Sequence, residues 1–290
     1  MRYGIYVPNF GPYGEAAAVA TLAKDAEAAG WDGLFLWDHI SGWPQPVVDP
    51  WVALSAAAVV TNRIRLGTTV TPLPRRRPWK VARETVSVDR LSGGRLILGV
   101  GIGVGDAEWG DLGEETDLPK RGAMLDEGLE ILTGLWRGKP FSYQGEFYQI
   151  EGATFLPCPI QTPRIPIWVG GCWPNKPPFR RMARWDGMFP LLDYEQVDSL
   201  ESELKQLKEA VAFVRLHRMH DDAFDVVCTG DTPGDEPARA ADIVEKYGEA
   251  GATWWLEAIA PYRFGLGFGG DWPVERLRER VLQGPPRHAN

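Results

Sequence analysis

The sequence has 290 residues, 44% of them apolar, with 31 Lys plus Arg against 39 Asp plus Glu for a net charge of −8. That length and composition supply a sizeable core and exclude wholesale disorder. The acidic balance argues against nucleic acid or an anionic membrane as partner, and no apolar run approaches the roughly 20 residues a membrane helix needs.

The first residues show no leader pattern and run directly into a strand from Tyr3 to Val7. Val19, Leu22, Ala23 and Ala26 then mark one helical face, and Gly30 suits its C-terminal end. Leu34 to Trp37 reads as a buried strand, apolar on both faces as parallel strands are. Asp49-Pro50 is an N-cap followed by proline at the first helical position. Ile64 to Val70 is the third strand, Pro78 to Leu91 a helix, and Arg95 to Val100 the fourth strand. Leu125, Leu129, Leu132 and Trp136 form the next helical stripe. The alternation then pauses. Phe141 to Tyr148 reads as a hairpin around a glycine turn, and Pro157, Pro159, Pro163 and Pro166 keep the following stretch extended. Strands resume at Ile165 to Val169 and Gly187 to Leu191. Val197, Leu200, Leu204, Leu207, Val211 and Val214 give a clean amphipathic helix. Phe224 to Cys228 is the seventh strand, Ala238 to Tyr247 a helix, Thr253 to Leu256 the eighth strand, and Val274 to Leu282 the last helix.

Ala29-Gly30-Trp31-Asp32-Gly33-Leu34-Phe35 recurs as Ala183-Arg184-Trp185-Asp186-Gly187-Met188-Phe189, and Ala250 to Trp255 is a looser copy. Each copy sits where a helix gives way to a strand. Eight strand–helix units with repeated joints predict an α/β fold, a (β/α)8 barrel in one domain over residues 1–290. The hairpin and proline run are expected as an insertion after strand four.

Barrels of this kind carry their active sites on the loops at the C-terminal strand ends. There the sequence places Asn9, Asp38, His39, Thr69, Val70, Gly101, Gly103 and Glu108, then Gly170, Gly171 and Cys172, beside Phe10, Trp43 and Trp109. His39 is the candidate acid or base, or a structural histidine satisfied by Asp38 or a backbone carbonyl. Asp38 reads as an orienting group for His39, a cofactor contact or a loop cap. Glu108 reads as a proton donor if an aromatic wall raises its pKa, or as a solvated carboxylate. Gly99 to Gly105 lacks the acidic partner and following helix of a dinucleotide site, and reads instead as backbone passing close to a flat ligand. Gly170-Gly171 could present amides to a phosphate or form a tight turn. Arg75-Arg76-Arg77 with Lys80 reads as a solvated face or as a receiver for an anionic ligand tail. Cys158, Cys172 and Cys228 form no CxxC, and His217 and His220 lack a third ligand, so neither a disulfide framework nor a metal is expected. The expected compartment is a reducing cytoplasm.

In combination, several of these segments resemble the bacterial-luciferase-like superfamily of flavin- and deazaflavin-dependent oxidoreductases. They are Gly30 to His39, Arg63 to Pro72, Thr85 to Arg95, Leu98 to Gly101 and Pro157 to Gly171, which together span roughly the first 190 residues. The resemblance implies a barrel holding FMN or coenzyme F420 at its mouth. Asp38 and His39 would lie near the ring, with His39 as base toward a substrate hydroxyl. Glu108 falls where deazaflavin members carry a proton-donating glutamate, Thr69-Val70 where many carry a non-proline cis peptide, and Gly170, Gly171 and Cys172 where the phosphate is held. The expectation is an F420- or FMN-dependent oxidoreductase of the luciferase-like monooxygenase type that acts on a small organic substrate; members of the superfamily often pair as homodimers. Two other readings stay open: a barrel glycoside hydrolase using Asp38 and Glu108 as a carboxylate pair, and a non-catalytic flavin-binding protein.

Overall fold

The structure is a computed structural model that describes residues 1–41, 44–105 and 107–287. Its strands are β1 (Arg2–Val7), β2 (Gly33–Leu36), β3 (Arg65–Thr68), β4 (Thr71–Pro72), β5 (Leu96–Gly101), β6 (Phe141–Gln144), β7 (Gln149–Ala153), β8 (Ile167–Cys172), β9 (Gly187–Leu191), β10 (Asp225–Gly230) and β11 (Trp254–Ala258). Among the described residues, β1, β2, β3, β5, β8, β9, β10 and β11 pair in that order, all parallel, and β11 returns to β1. The expected barrel is therefore closed and has no free sheet edge. Around it lie α1 (Ala16–Ala28), α2 (Pro50–Val60), α3 (Pro78–Leu91), α4 (Leu118–Leu135), α5 (Lys176–Met182), α6 (Leu200–His217), α7 (Pro237–Glu249) and α8 (Val274–Leu282).

Alternation along the strands divides the core in two. Inward side chains Phe35, Ile97, Trp168, Phe189, Val227, Trp254 and Leu256 fill the barrel, with Phe35 stacked on Trp168 at 4.9 Å. Tyr6, Val70 and Leu191 pack against this plug. Outward side chains such as Ile5, Leu34, Leu66 and Val169 meet the helices. A core this filled is a floor for the mouth, not a pore.

The repeated joint has a shared physical role. Asp32 takes the amide of Tyr3 at 2.9 Å, and Asp186 takes the amide of Ile167 at 2.7 Å. Each carboxylate thus caps the strand that precedes its own, β1 and β8 respectively. In the third copy the Thr253 hydroxyl does the same for Val226 at 2.9 Å. Asp49 caps α2 as expected, accepting from the amides of Trp51 and Val52 at 2.9 and 3.1 Å.

The insertion needs correcting in one respect. The hairpin is longer than residues 141–148, with its return strand at Gln149–Ala153. Its turn is held by Glu127 of α4, whose carboxylate accepts from the amides of Glu146, Phe147 and Tyr148. As expected, it lies between the fourth and fifth barrel strands, β5 and β8, after the helix α4. Because α4 runs back along the barrel, the insertion leaves from the base. There Asp89 accepts from Ile160 N at 2.7 Å, and Gln161 donates to Leu96 O, at the start of β5, at 2.7 Å. The insertion therefore braces the base and does not cover the mouth.

Candidate active site

The third predicted strand breaks at its C-terminal end. The Thr69–Val70 peptide is cis, at the position where the resemblance implied such a bond. Beyond it the chain resumes as β4, which pairs with the end of β5. Val70 enters the mouth between two glycines. A Cβ on Gly101 would lie 2.7 Å from one Val70 methyl, and a Cβ on Gly170 would lie 3.0 Å from the other. Gly103 has φ +78°, and a Cβ there would sit 2.4 Å from Trp109; one on Gly171 would sit 2.4 Å from Pro178. The glycines therefore make room for protein side chains. Gly171 and Cys172 end β8, paired with Pro190 and Leu191 of β9, and Cys172 is exposed.

His39 follows β2, and its backbone is pinned by Asn9 at the end of β1. Asn9 is fully buried; its Nδ2 donates to His39 O at 2.8 Å, and its Oδ1 accepts from His39 N at 3.0 Å. The imidazole lies against Trp37 and Phe10, with ring centroids at 5.5 and 5.9 Å. Its Nδ1 is 3.1 Å from Glu108 Oε1. The same oxygen accepts from the amides of Ile40 at 2.7 Å and Ser41 at 3.2 Å. The other carboxylate oxygen accepts from Arg75 Nη1 at 2.7 Å. Burial alone would push the Glu108 carboxyl up, but the His39 bond, the Ile40 amide and the Arg75 guanidinium together hold it down at about 2. Glu108 is thus ionised in this arrangement, which corrects its expected role as a proton donor. It is an acceptor that orients His39.

Arg75 bridges two loops. While Nη1 holds Glu108, its Nη2 donates to Asp38 O at 3.0 Å, and its side chain is only 4% exposed. Arg76 Nη2 bonds Asp38 Oδ1 at 2.7 Å, and Arg77 lies over the ring of Trp79. Arg75 and Arg76 are therefore spent on internal carboxylates. Neither the solvated face nor the receiver for an anionic tail survives for them. Asp38 pairs with these arginines and not with His39, which removes its reading as the orienting group. The carboxylate-pair reading of Asp38 and Glu108 fails too. Both are clamped to one guanidinium, the Asp38 side chain has no exposure, and Glu108 holds no proton to give.

Two buried polar atoms at this rim, Asp38 Oδ2 and Thr69 Oγ1, have no hydrogen-bond partner among the described residues. Buried polar groups are rarely left so, and a bound molecule that supplies donors and acceptors here would satisfy them. Trp43 lies outside the described residues.

The sequence profile of the luciferase-like monooxygenase family matches residues 1–228. The chain belongs to that family. Among its relatives is an uncharacterised protein of Mycobacterium tuberculosis, 36% identical over 210 residues that make up 65% of this chain and 70% of that protein. Another is the F420-dependent glucose-6-phosphate dehydrogenase of Nakamurella multipartita, 32% identical over 180 residues, 59% of this chain and 50% of that protein. The coenzyme F420-dependent tetrahydromethanopterin reductase of Methanopyrus kandleri superposes with a TM-score of 0.72 at 19% identity, covering 98% of both chains. The oxygenating constituent of 3,6-diketocamphane monooxygenase of Pseudomonas putida, solved in complex with FMN, gives a TM-score of 0.65 at 20% identity over 80% of this chain and 68% of that one. At these identities the structural likeness carries the fold. Within this luciferase-like barrel, the sequence had placed His39, Glu108, Asp38, Thr69 and Val70 on one rim; the structure joins the first three through Arg75 and puts Thr69 and Val70 at the end of the adjacent strand. Asn9 and Arg75 are the members whose role it had missed. Asn9 was visible only as a polar residue closing the first strand.

Proposed function

We propose that the chain is an oxidoreductase that moves a hydride between coenzyme F420 or FMN, held at the barrel mouth, and a small organic substrate. The observation that carries this reading is the His39–Glu108 contact at 3.1 Å, with Glu108 held ionised by His39, the Ile40 amide and Arg75, beside Val70. When bound, the cofactor would supply the hydride chemistry. The residues that would hold it are Asp38 and Thr69 through their unsatisfied oxygens, Val70 behind the ring, and the Gly101–Gly103 and Gly170–Cys172 backbones. Glu108 keeps a proton on Nδ1 of His39, so the proton exchanged with a substrate hydroxyl or carbonyl is the one at Nε2. The floor of Tyr6, Val70 and Leu191 and the wall of Phe10 and Trp37 keep water from the reacting atoms. The F420-dependent relatives, and a histidine that can exchange a proton with an alcohol, favour F420 over FMN.

Titrating the protein separately with F420 and FMN tests the reading. One of them is expected to bind with a Kd of about 10 μM or below, seen as a shift of the visible spectrum, as befits a ring buried in a preformed site. No spectral change with either would sink it. Steady turnover with a reduced or oxidised cofactor separates an enzyme from a binding protein. Among the described residues no helix is long and apolar enough to cross a membrane. We take the cytoplasm as its compartment.

We also propose a homodimer. Between Pro50 and Val60, α2 has no charged residue, and Val52 and Val59, two helical turns apart on one side, are 58% and 65% exposed. An apolar solvent face of this kind suits a second copy of the same chain. Light scattering is expected to give twice the chain mass for the wild type and a single chain mass for Val59→Glu. A monomeric wild type overturns the dimer.

A further inference from the structure

The segment between β11 and α8 contains Gly265-Leu266-Gly267-Phe268-Gly269-Gly270. Five of these residues are exposed, and Phe268 alone turns inward. Only Gly265 needs to be glycine, at φ +71°; a Cβ on Gly267, Gly269 or Gly270 would meet nothing within 4 Å. These three glycines bring no side chains of their own to anchor the strap. Its two ends are fixed. On one side Arg263 donates to Glu257 Oε1 at 3.0 Å and to Ala258 O at 2.6 Å, and Glu257 is fully buried. On the other side Trp272 is buried against Phe10 and Tyr13, with centroids at 5.7 and 6.1 Å. Between these posts the Phe268 ring rests on Phe10 at 5.5 Å and Trp37 at 5.6 Å. These are the rings that flank His39. The Phe268 carbonyl accepts from Gln45 Nε2 at 2.7 Å and Trp272 Nε1 at 3.1 Å.

We propose that Phe268 is the gate and specificity-determining residue of the mouth. Its ring covers the Phe10–Trp37 wall until a substrate with a flat apolar part takes its place beside His39. The flanking glycines let the ring swing off the wall while the Phe268 carbonyl stays on Gln45 and Trp272, as hinged residues do over other active sites. The substrate class that follows is an alcohol or ketone carrying an aromatic or alicyclic group the size of the phenyl ring it displaces. The substrate part of this proposal rests on His39 being the reacting residue; the gate does not.

The test uses the full-length protein without cofactor. Diethyl pyrocarbonate modification is followed by peptide mass at His39 and, as references, at the exposed His217 and His220. The His39 rate relative to the references is expected to rise about ten-fold in Phe268→Ala, because the covered population disappears. In Gly267→Ala/Gly270→Ala, where the added methyls meet nothing but stiffen the strap, the ratio is expected to fall about two-fold. An unchanged ratio in both variants overturns the gate. As an apolar probe, 2-naphthol is expected to protect His39 and to bind Phe268→Ala about five-fold more tightly than the wild type, because the aromatic wall is vacant. Equal or weaker binding overturns the substrate class. A shifted ratio together with a His39→Ala variant that turns over normally leaves the gate standing and removes the proposed function.

Discussion

Replacing His39 with alanine is expected to lower kcat by about 10²- to 10⁴-fold, the usual contribution of a positioned acid or base. The cofactor Kd is expected to stay within about two-fold, because the Nδ1 side of the imidazole is engaged within the protein by Glu108. The fold is expected to survive. Asn9 grips the backbone of residue 39 and not its ring, and the loop amides of Ile40 and Ser41 still bind Glu108. His39→Gln sharpens the test. Glutamine keeps a donor for Glu108 yet cannot act as an acid or base near neutral pH, so it is expected to be as slow as alanine. Steady-state rates with whichever cofactor binds, alongside spectral titration of the same variants, separate the two effects. A variant that loses rate and cofactor affinity equally would make His39 a binding residue.

The sequence was most informative where the signal was periodic. Strand–helix alternation revealed the barrel, and the repeated Trp-Asp-Gly joint marked a real device, since Asp32 and Asp186 cap the strands beside them. It was least informative where a residue's partner lies far along the chain. Three consecutive arginines look like a solvated face, yet Arg75 meets Glu108 33 positions away. Nothing local to either residue announces that contact. Glycines pose a related problem. Gly101 and Gly170 record that a side chain is forbidden, but not that Val70 is what forbids it. The aromatic-wall argument for Glu108 erred in sign, because burial was visible from the sequence and the three compensating donors were not. Phe268 had no periodic signal, and its meaning comes from the rings it touches.

Removing the Arg75 guanidinium is expected to be the costliest single change at the mouth. In Arg75→Met the buried Glu108 charge loses the donor to its second oxygen, and the Asp38 carbonyl loses a donor. Stripping one partner from a buried ion pair costs about 3–5 kcal/mol, which for a chain of this size lowers Tm by roughly 10 °C. Arg75→Lys is expected to fall between, since one ammonium supplies the charge but cannot span both acceptors as the planar fork does. The pH dependence identifies the cause. In the wild type, Glu108 is depressed from 4.5 to about 2, so its ionisation stabilises the fold fully above pH 4.5 and progressively less as the pH falls toward 2. Without Arg75 the folded-state value rises and that contribution shrinks. The stability gap between wild type and Arg75→Met is therefore expected to be widest at neutral pH and to narrow by pH 3, measured by urea unfolding at both. The catalytic consequence runs through the same charge. A Glu108 that protonates more readily no longer holds the His39 ring, so the acid limb of the rate profile is expected to move to higher pH in Arg75→Met and to return part-way in Arg75→Lys. A stability gap of the same size at pH 3 and pH 7 would mean that Arg75 acts by packing against Trp109 rather than by fixing the charge on Glu108.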